Sequence, residues 1–281
     1  YQTVAEHLTR LLHIADEQFS TLIPLPDWLP TPRNRQRQQS VKALDEIIMG
    51  IVEERRASAG DRGDLLSMLV SATGDGGEGM TDEQLRDEVM TLYLSGHETT
   101  ATALFWSLSL LALDPATQGE LAAEARPALA GGALDAAKLP FTRAVLDEAL
   151  RLYPPAFLIV RAARGADSVA GFDIAARDIV LVSPWLLHRH AKLWDAPDVF
   201  RPQRFLPDAP SPDRFAYLPF GVGPPVCIGA QFALAEATLA LAKLVGTFRV
   251  ELVDTAPVTP VGVVTTQPDR SPLFRIARRA P

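Results

Sequence analysis

Cysteine is nearly absent from this chain of 281 residues; there is one, Cys227. A single thiol excludes an internal disulfide framework and fits a reducing, cytoplasmic compartment. Long hydrophobic runs are missing too, the longest candidate being Ala101 to Leu113, so nothing reads as a membrane span. Positive charge is in deficit, and a net charge of −7 argues against a nucleic-acid surface. The cluster Arg33, Arg35, Arg37 then reads as the solvated start of a helix. No glycine-rich dinucleotide fingerprint and no iron–sulfur cysteine set occur, so this stretch carries no reductase. Repeats and low-complexity segments are also lacking. The chain opens at Tyr1 in a helical pattern without Met or a signal peptide, and it is expected to be a fragment.

What is present is an ordinary globular composition, 47% hydrophobic and 22% charged. Apolar residues at helical spacing predict a helix from Tyr1 to about Phe19. Pro24, Pro26, Pro30 and Pro32 break it into a stiff connector, and a second helix follows over 33–57. A short helix near 64–71 leads into a loop, Gly74 to Gly79. Thr81 with Gln84 forms a capping-box pair that opens the longest helix, about 81–113, read as a central strut. Asp114-Pro115 supplies the next N-cap and first turn. Further helices are expected over 116–129 and 139–153. The texture then changes to short β runs, Phe157–Arg161, Ser168–Ala170 and Asp178–Val182. From Pro184 to Pro219 interleaved aromatic residues predict a packed irregular coil. A last helix, 228–247, is expected to pack on Leu234, Leu241, Leu244 and Val245, ahead of a tail of short strands. The class is mainly α with small β-sheets.

Cys227 lies in Phe220-Gly-Val-Gly-Pro-Pro-Val-Cys-Ile-Gly229, directly ahead of the last helix. Backbone N–H groups in a glycine loop at a helix N-terminus are expected to favour a thiolate; the alternative is a small buried hydrophobe. Ser95-Gly96-His97-Glu98-Thr99-Thr100 interrupts the long helix at a propensity cost of about 1 kcal/mol for the glycine alone. It reads either as a kink with back-bonded hydroxyls or as a groove at Gly96 beside an acid, Glu98, and an alcohol, Thr99. Glu148 and Arg151, one turn apart, are either a solvated pair or part of a buried network. Arg161, in the first β run, reads from the sequence alone as an edge-strand arginine. His188 and His190 lack the further ligands a metal site needs.

Taken together these segments resemble the cytochromes P-450. Phe220, Gly223, Cys227 and Gly229 fall in register with the family's haem-ligand loop, Phe-x-x-Gly-x-Arg/His-x-Cys-x-Gly. Pro225 departs from it by standing where a basic residue usually meets a propionate. Gly96, Glu98 and Thr99 resemble the oxygen-binding motif, Glu148-x-x-Arg151 the K helix, and Pro202-Gln-Arg204-Phe205 the segment that completes a Glu-Arg-Arg triad. The resemblance implies a single domain over 1–281, the C-terminal portion of a P-450 fold. It implies haem b (iron protoporphyrin IX) with Cys227 as axial iron ligand and Gly96, Arg161, Phe220, Gly221 and Gly229 around it. Glu98 and Thr99 would manage protons, while Glu148, Arg151 and Arg204 would be structural. The implied activity is monooxygenation of a small apolar organic substrate by dioxygen, with electrons from a ferredoxin or flavoprotein. The alternatives are a haem-thiolate isomerase or peroxygenase, or a non-catalytic haem-binding remnant.

Overall fold

Local capping chemistry sets where the helices begin. The computed structural model describes residues 2–20, 26, 28–58, 60–73, 77–132, 134–254 and 256–280. Helix α1 spans Gln2–Ser20. Helix α2, Pro32–Ala57, starts with proline in its first turn, and the Thr31 hydroxyl accepts the Asn34 amide at 3.1 Å. Asp64 caps α3, Leu65–Ser71, through the Ser67 amide at 2.9 Å. At α4, Asp82–Leu113, the capping box closes in both directions: the Gln84 amide donates to Thr81 Oγ1 at 3.2 Å and the Thr81 amide to Gln84 Oε1 at 3.0 Å. Asp114 ends α4 and caps α5, Pro115–Ala130, by accepting the Thr117 amide at 3.0 Å. Pro24 and the Gly74 to Gly76 part of the predicted loop lie outside the described residues.

The chain divides into two compact units, residues 1–97 and 98–281, the division falling within the sequence of α4. In the first, Ile48 and Val52 of α2 and Leu85 of α4 make a core flanked by Leu66 and Leu69 of α3. Arg55 reaches both Asp64 and Ser67, which ties the end of α2 to the cap of α3.

The second unit is built on α5, α6 (Pro140–Leu152) and α8 (Ala230–Thr247), packed on the last turns of α4. Its main core gathers Leu111, Leu121, Ala125, Val145, Leu241 and Val245, each fully buried. Burial of each such leucine contributes about 1.5 to 3 kcal/mol. Helices α5 and α8 approach so closely at Gly246 that a Cβ there would lie 2.7 Å from Leu129 Cδ1 and 3.1 Å from Ala125 Cβ.

Small antiparallel sheets flank these helices. Strand β1 (Ile159–Ala162) pairs with β4 (Ile179–Val182), enclosing the hairpin of β2 (Asp167–Val169) and β3 (Phe172–Ile174). A four-residue helix, α7 (Pro184–Leu187), follows. After α8 come β5 (Phe248–Leu252), paired with β8 (Phe274–Arg278), and the hairpin of β6 (Pro260–Gly262) and β7 (Thr266–Pro268). The mainly α architecture with small sheets is therefore as the sequence indicates.

Four details differ from the sequence reading. Strand β3 was not foreseen, because three residues after Gly171 are too few to show a period. Phe157 is not in a strand; its ring lies against Gly262, where a Cβ would meet it at 2.9 Å. Leu244 of α8 is exposed, and the buried face instead carries Ala237, Thr238 and Ala242. Helix α4 is not buried along its whole length: Leu85 near its start and Ala103, Trp106, Ser107 and Leu111 in its second half are buried, while residues 93–97 are exposed.

Two glycines test the packing in opposite directions. Gly246→Ala should destabilise the protein by about 1 to 3 kcal/mol through overpacking. Gly119→Ala, on an exposed turn of α5 with nothing within 4 Å of the new Cβ, should stabilise it by about 0.5 to 1 kcal/mol. Urea denaturation of the two variants beside the parent reads both signs.

Candidate active site

Helix α6 presents its C-terminal turn to the irregular segment that follows, and one carboxylate organises that junction. Glu148 and Arg151 are both 0% exposed. Arg151 is bidentate on Glu148, Nε to Oε2 at 2.7 Å and Nη2 to Oε1 at 2.8 Å. Its remaining donors go to main-chain oxygens of the coil: Nη1 to His188 at 2.7 Å and Pro197 at 2.6 Å, and Nη2 to Val199 at 3.2 Å. Glu148 Oε1 also accepts the Arg201 amide at 2.8 Å and Arg204 Nε at 3.3 Å. Arg204 in turn donates to the Ala196 carbonyl at 2.8 Å. Residues 148, 151 and 204 thus form a buried network, not a solvated pair.

His188 joins this network to the thiol loop. Its ring is fully buried; Nε2 accepts the Leu218 amide at 2.8 Å, so the ring proton sits on Nδ1 and faces the Arg151 carbonyl at 3.2 Å. Burial, reinforced by the Arg151 charge, pulls its pKa down from 6.5 to about 4. Nearby, the half-buried Tyr217 donates to both the carbonyl and Oδ1 of Asp147 at 3.0 Å. Burial raises the Tyr217 phenol well above its usual range and raises the Asp147 carboxyl as well. No group of three or more His, Cys, Asp or Glu able to hold a metal ion occurs among the described residues.

Two residues beyond Leu218 the chain enters the loop 220–229. Gly221 (φ 77°) and Gly223 (φ 81°) adopt the left-handed region that favours glycine. The loop is closed by amides of Cys227 to the Phe220 carbonyl at 3.0 Å and of Val226 to the Gly223 carbonyl at 3.0 Å. Cys227 is exposed, which overturns the buried-hydrophobe alternative. The expected amide donation to sulfur is not made among the described residues; Cys227 precedes the Gly229 N-cap of α8 by two positions, and the loop amides close on carbonyls instead. A Cβ at Gly229 would lie 3.9 Å from the sulfur. Val226, Ile228 and Phe232 around the thiol are exposed apolar residues, Ile228 at 93%.

The loop and the part of α4 that follows the acid–alcohol segment share one apolar cluster. Phe220 and Tyr217 pack on Ala103 of α4, Leu146 and Leu150 of α6, and Leu234 and Ala237 of α8. Ala103 lies one turn beyond Thr99. Helix α4 runs unbroken through Gly96, where a Cβ would meet open space. His97 stacks on Tyr93 with centroids 5.8 Å apart. Glu98 is half-buried, and its Oε1 accepts Thr265 Oγ1 at 2.7 Å and Gln267 Nε2 at 2.6 Å. Arg161, on β1, is exposed; it donates to the Val160 carbonyl at 2.8 Å and has no carboxylate partner among the described residues. Sequence reasoning weighed His188 only as a metal ligand and missed its buried bridging role; it missed Thr265 and Gln267 altogether, since they lie in a tail read only as strands.

A family model described as cytochrome P450 matches residues 1–272. Cyclooctatin synthase of Streptomyces melanosporofaciens is 40% identical over 238 residues, 83% of this chain and 52% of that protein. Pentalenene oxygenase of Streptomyces avermitilis is 34% identical over 257 residues, 90% of this chain and 57% of that one. The chain spans about half the length of the curated relatives it matches. Among solved structures, the cytochrome P450DA heme domain superposes with a TM-score of 0.88 at 30% identity, covering 99% of this chain and 61% of that one.

Two outcomes follow from the network. Glu148→Gln should cost about 3 to 5 kcal/mol of stability, as expected when a buried ion pair loses one charge, against about 0 to 1 for a surface pair; thermal denaturation decides. For His188 the folded ring resists a proton that the unfolded ring accepts, so its contribution is whole above about 6.5 and is lost as pH falls toward about 4. The loss is on the order of 3 kcal/mol. His188→Gln, which keeps a donor and an acceptor, should remove that pH slope in urea titrations between those values.

Proposed function

Because the chain belongs to the cytochrome P450 family, we propose that it acts in a haem-thiolate monooxygenase that inserts one oxygen atom of dioxygen into an apolar organic substrate. One observation carries the reading: the only thiol is exposed on a loop whose Phe220 packs in the same cluster as Ala103, one turn from Thr99. The donor set agrees with the family's haem b (iron protoporphyrin IX). A lone thiol would supply the one protein bond that a haem iron needs, since the porphyrin brings its own nitrogen donors, whereas a bare ion needs several protein donors.

In this reading Cys227 would hold the iron and Arg161 would meet a propionate, with Phe220, Gly221 and Gly229 shaping the ligand loop. Haem, when bound, supplies the activation of dioxygen. The chain's own residues do the rest. Gly96 keeps one side of α4 bare, Glu98 and Thr99 exchange protons beside it, and the Glu148–Arg151–Arg204 network holds the coil that carries the thiol loop. Electrons come from a separate ferredoxin or flavoprotein. A hydrocarbon or alkenol, of the kind named in pentalenene oxygenase and in cyclooctat-9-en-7-ol 5-monooxygenase, 36% identical to this chain, is the substrate class this reading favours. The single domain proposed here spans residues 1–281 and takes in both compact units. A cytoplasmic site is proposed from the single unpaired thiol; no helix among the described residues is long and apolar enough to cross a membrane.

The test is the spectrum of the reduced, CO-bound protein. The parent should show the strongly red-shifted Soret band of thiolate ligation, and Cys227→Ser should lose it even where haem stays bound, because a neutral hydroxyl is a far poorer donor. A band unchanged in the variant refutes the ligand assignment.

A further inference from the structure

The side-chain partners of Glu98 come from the far end of the sequence. Thr265 and Gln267 belong to the β6–β7 hairpin and both donate to the same carboxylate oxygen, Oε1. Thr266, between them, faces the other way, as strand alternation requires. Its hydroxyl donates to the Pro154 carbonyl at 2.6 Å, its amide to the Pro155 carbonyl at 3.1 Å, and its carbonyl accepts Trp106 Nε1 at 2.7 Å. Thr265 and Thr266 are buried. The donors on Glu98 therefore stand on a hairpin fixed independently to α4 and to the end of α6.

We propose that Thr265 and Gln267 are positioning residues for Glu98: they hold Oε1 against the hairpin and leave Oε2 as the oxygen that exchanges a proton. Each turn of that exchange moves one proton from Oε2 to an acceptor beside α4 and replaces it from water, with no change of oxidation state at the carboxyl. Oε1 cannot take this part while it accepts two donors, and free rotation of the carboxyl would break both charge-assisted bonds. The inference rests on the monooxygenase reading, since only a proton-delivering acid gains from being aimed.

The experiment uses the complete, haem-loaded protein with a plant-type ferredoxin and its reductase, under air, with pentalenene as probe. The quantity read is peroxide released per NADPH oxidised, over a range of pH. Thr265→Val and Gln267→Met, which remove one donor each with little change of volume, should alter this ratio at least threefold. Thr265→Ser, which keeps the hydroxyl, should restore the parent value. In a Glu98→Leu background neither substitution should have any further effect. Urea midpoints of the same set give a reading independent of turnover: Gln267→Met combined with Glu98→Leu should fall no further than Glu98→Leu alone. Additive midpoints, an unchanged peroxide ratio, or an effect that persists without Glu98 each overturn the positioning role. A parent that lacks the thiolate CO band fails earlier, at Cys227, which separates loss of the monooxygenase reading from loss of this one.

Discussion

The second unit depends on one buried carboxylate, Glu148. A charge held away from water costs several kcal/mol unless it is paired and its remaining lone pairs are filled. Glu148 meets that condition with three donors beyond its own helix turn or within it: the Arg151 fork, Arg204 and the Arg201 amide. Two guanidiniums against one carboxylate leave excess positive charge, and the carbonyls of Ala196, Pro197, Val199 and His188 absorb it. Those carbonyls belong to a segment with little secondary structure to satisfy them, so the network solves two problems at once. Ala196, at φ 44°, is held in a conformation costly for a residue with a Cβ, and the Arg204 bond to its carbonyl falls at that point.

From this junction the order passes to the thiol loop through neutral His188. A histidine can accept with one nitrogen and donate with the other, so it bridges the Arg151 carbonyl and the Leu218 amide without importing a second charge beside Arg151. Leu218 then accepts the Gly221 amide at 3.3 Å. The chain thus reaches the loop already anchored, and the left-handed glycines turn it back toward α8.

Much of this was legible in the sequence where the cause is local. Thr81 with Gln84, and Asp114 with Pro115, announce helix ends because the capping groups lie within a few residues of the amides they satisfy. The pairing of Glu148 with the arginines at 151 and 204 was legible through motif and order. Other features depend on groups distant in the chain. Whether Glu148 is solvated or buried is settled by Val199, Arg201 and Arg204. Leu244 obeys the helical period yet points outward, because the neighbouring helix α5 offers small residues and a close approach at Gly246 instead. The partners of Glu98 are 167 and 169 positions away, where no spacing rule reaches.

That distance has a consequence for how the molecule is made. During synthesis α4 leaves the ribosome long before the hairpin that receives Trp106 Nε1 and supplies both donors to Glu98. Until residues 265–267 emerge, Glu98 and the indole N–H must be hydrated or misengaged, and the end of α6 lacks Thr266. Contacts of such long sequence separation form slowly, because loop closure precedes any return in binding. The acid of α4 is therefore among the last groups to receive its partners, and a nascent chain stalled before the hairpin would hold its helices and its thiol loop with Glu98 still untethered.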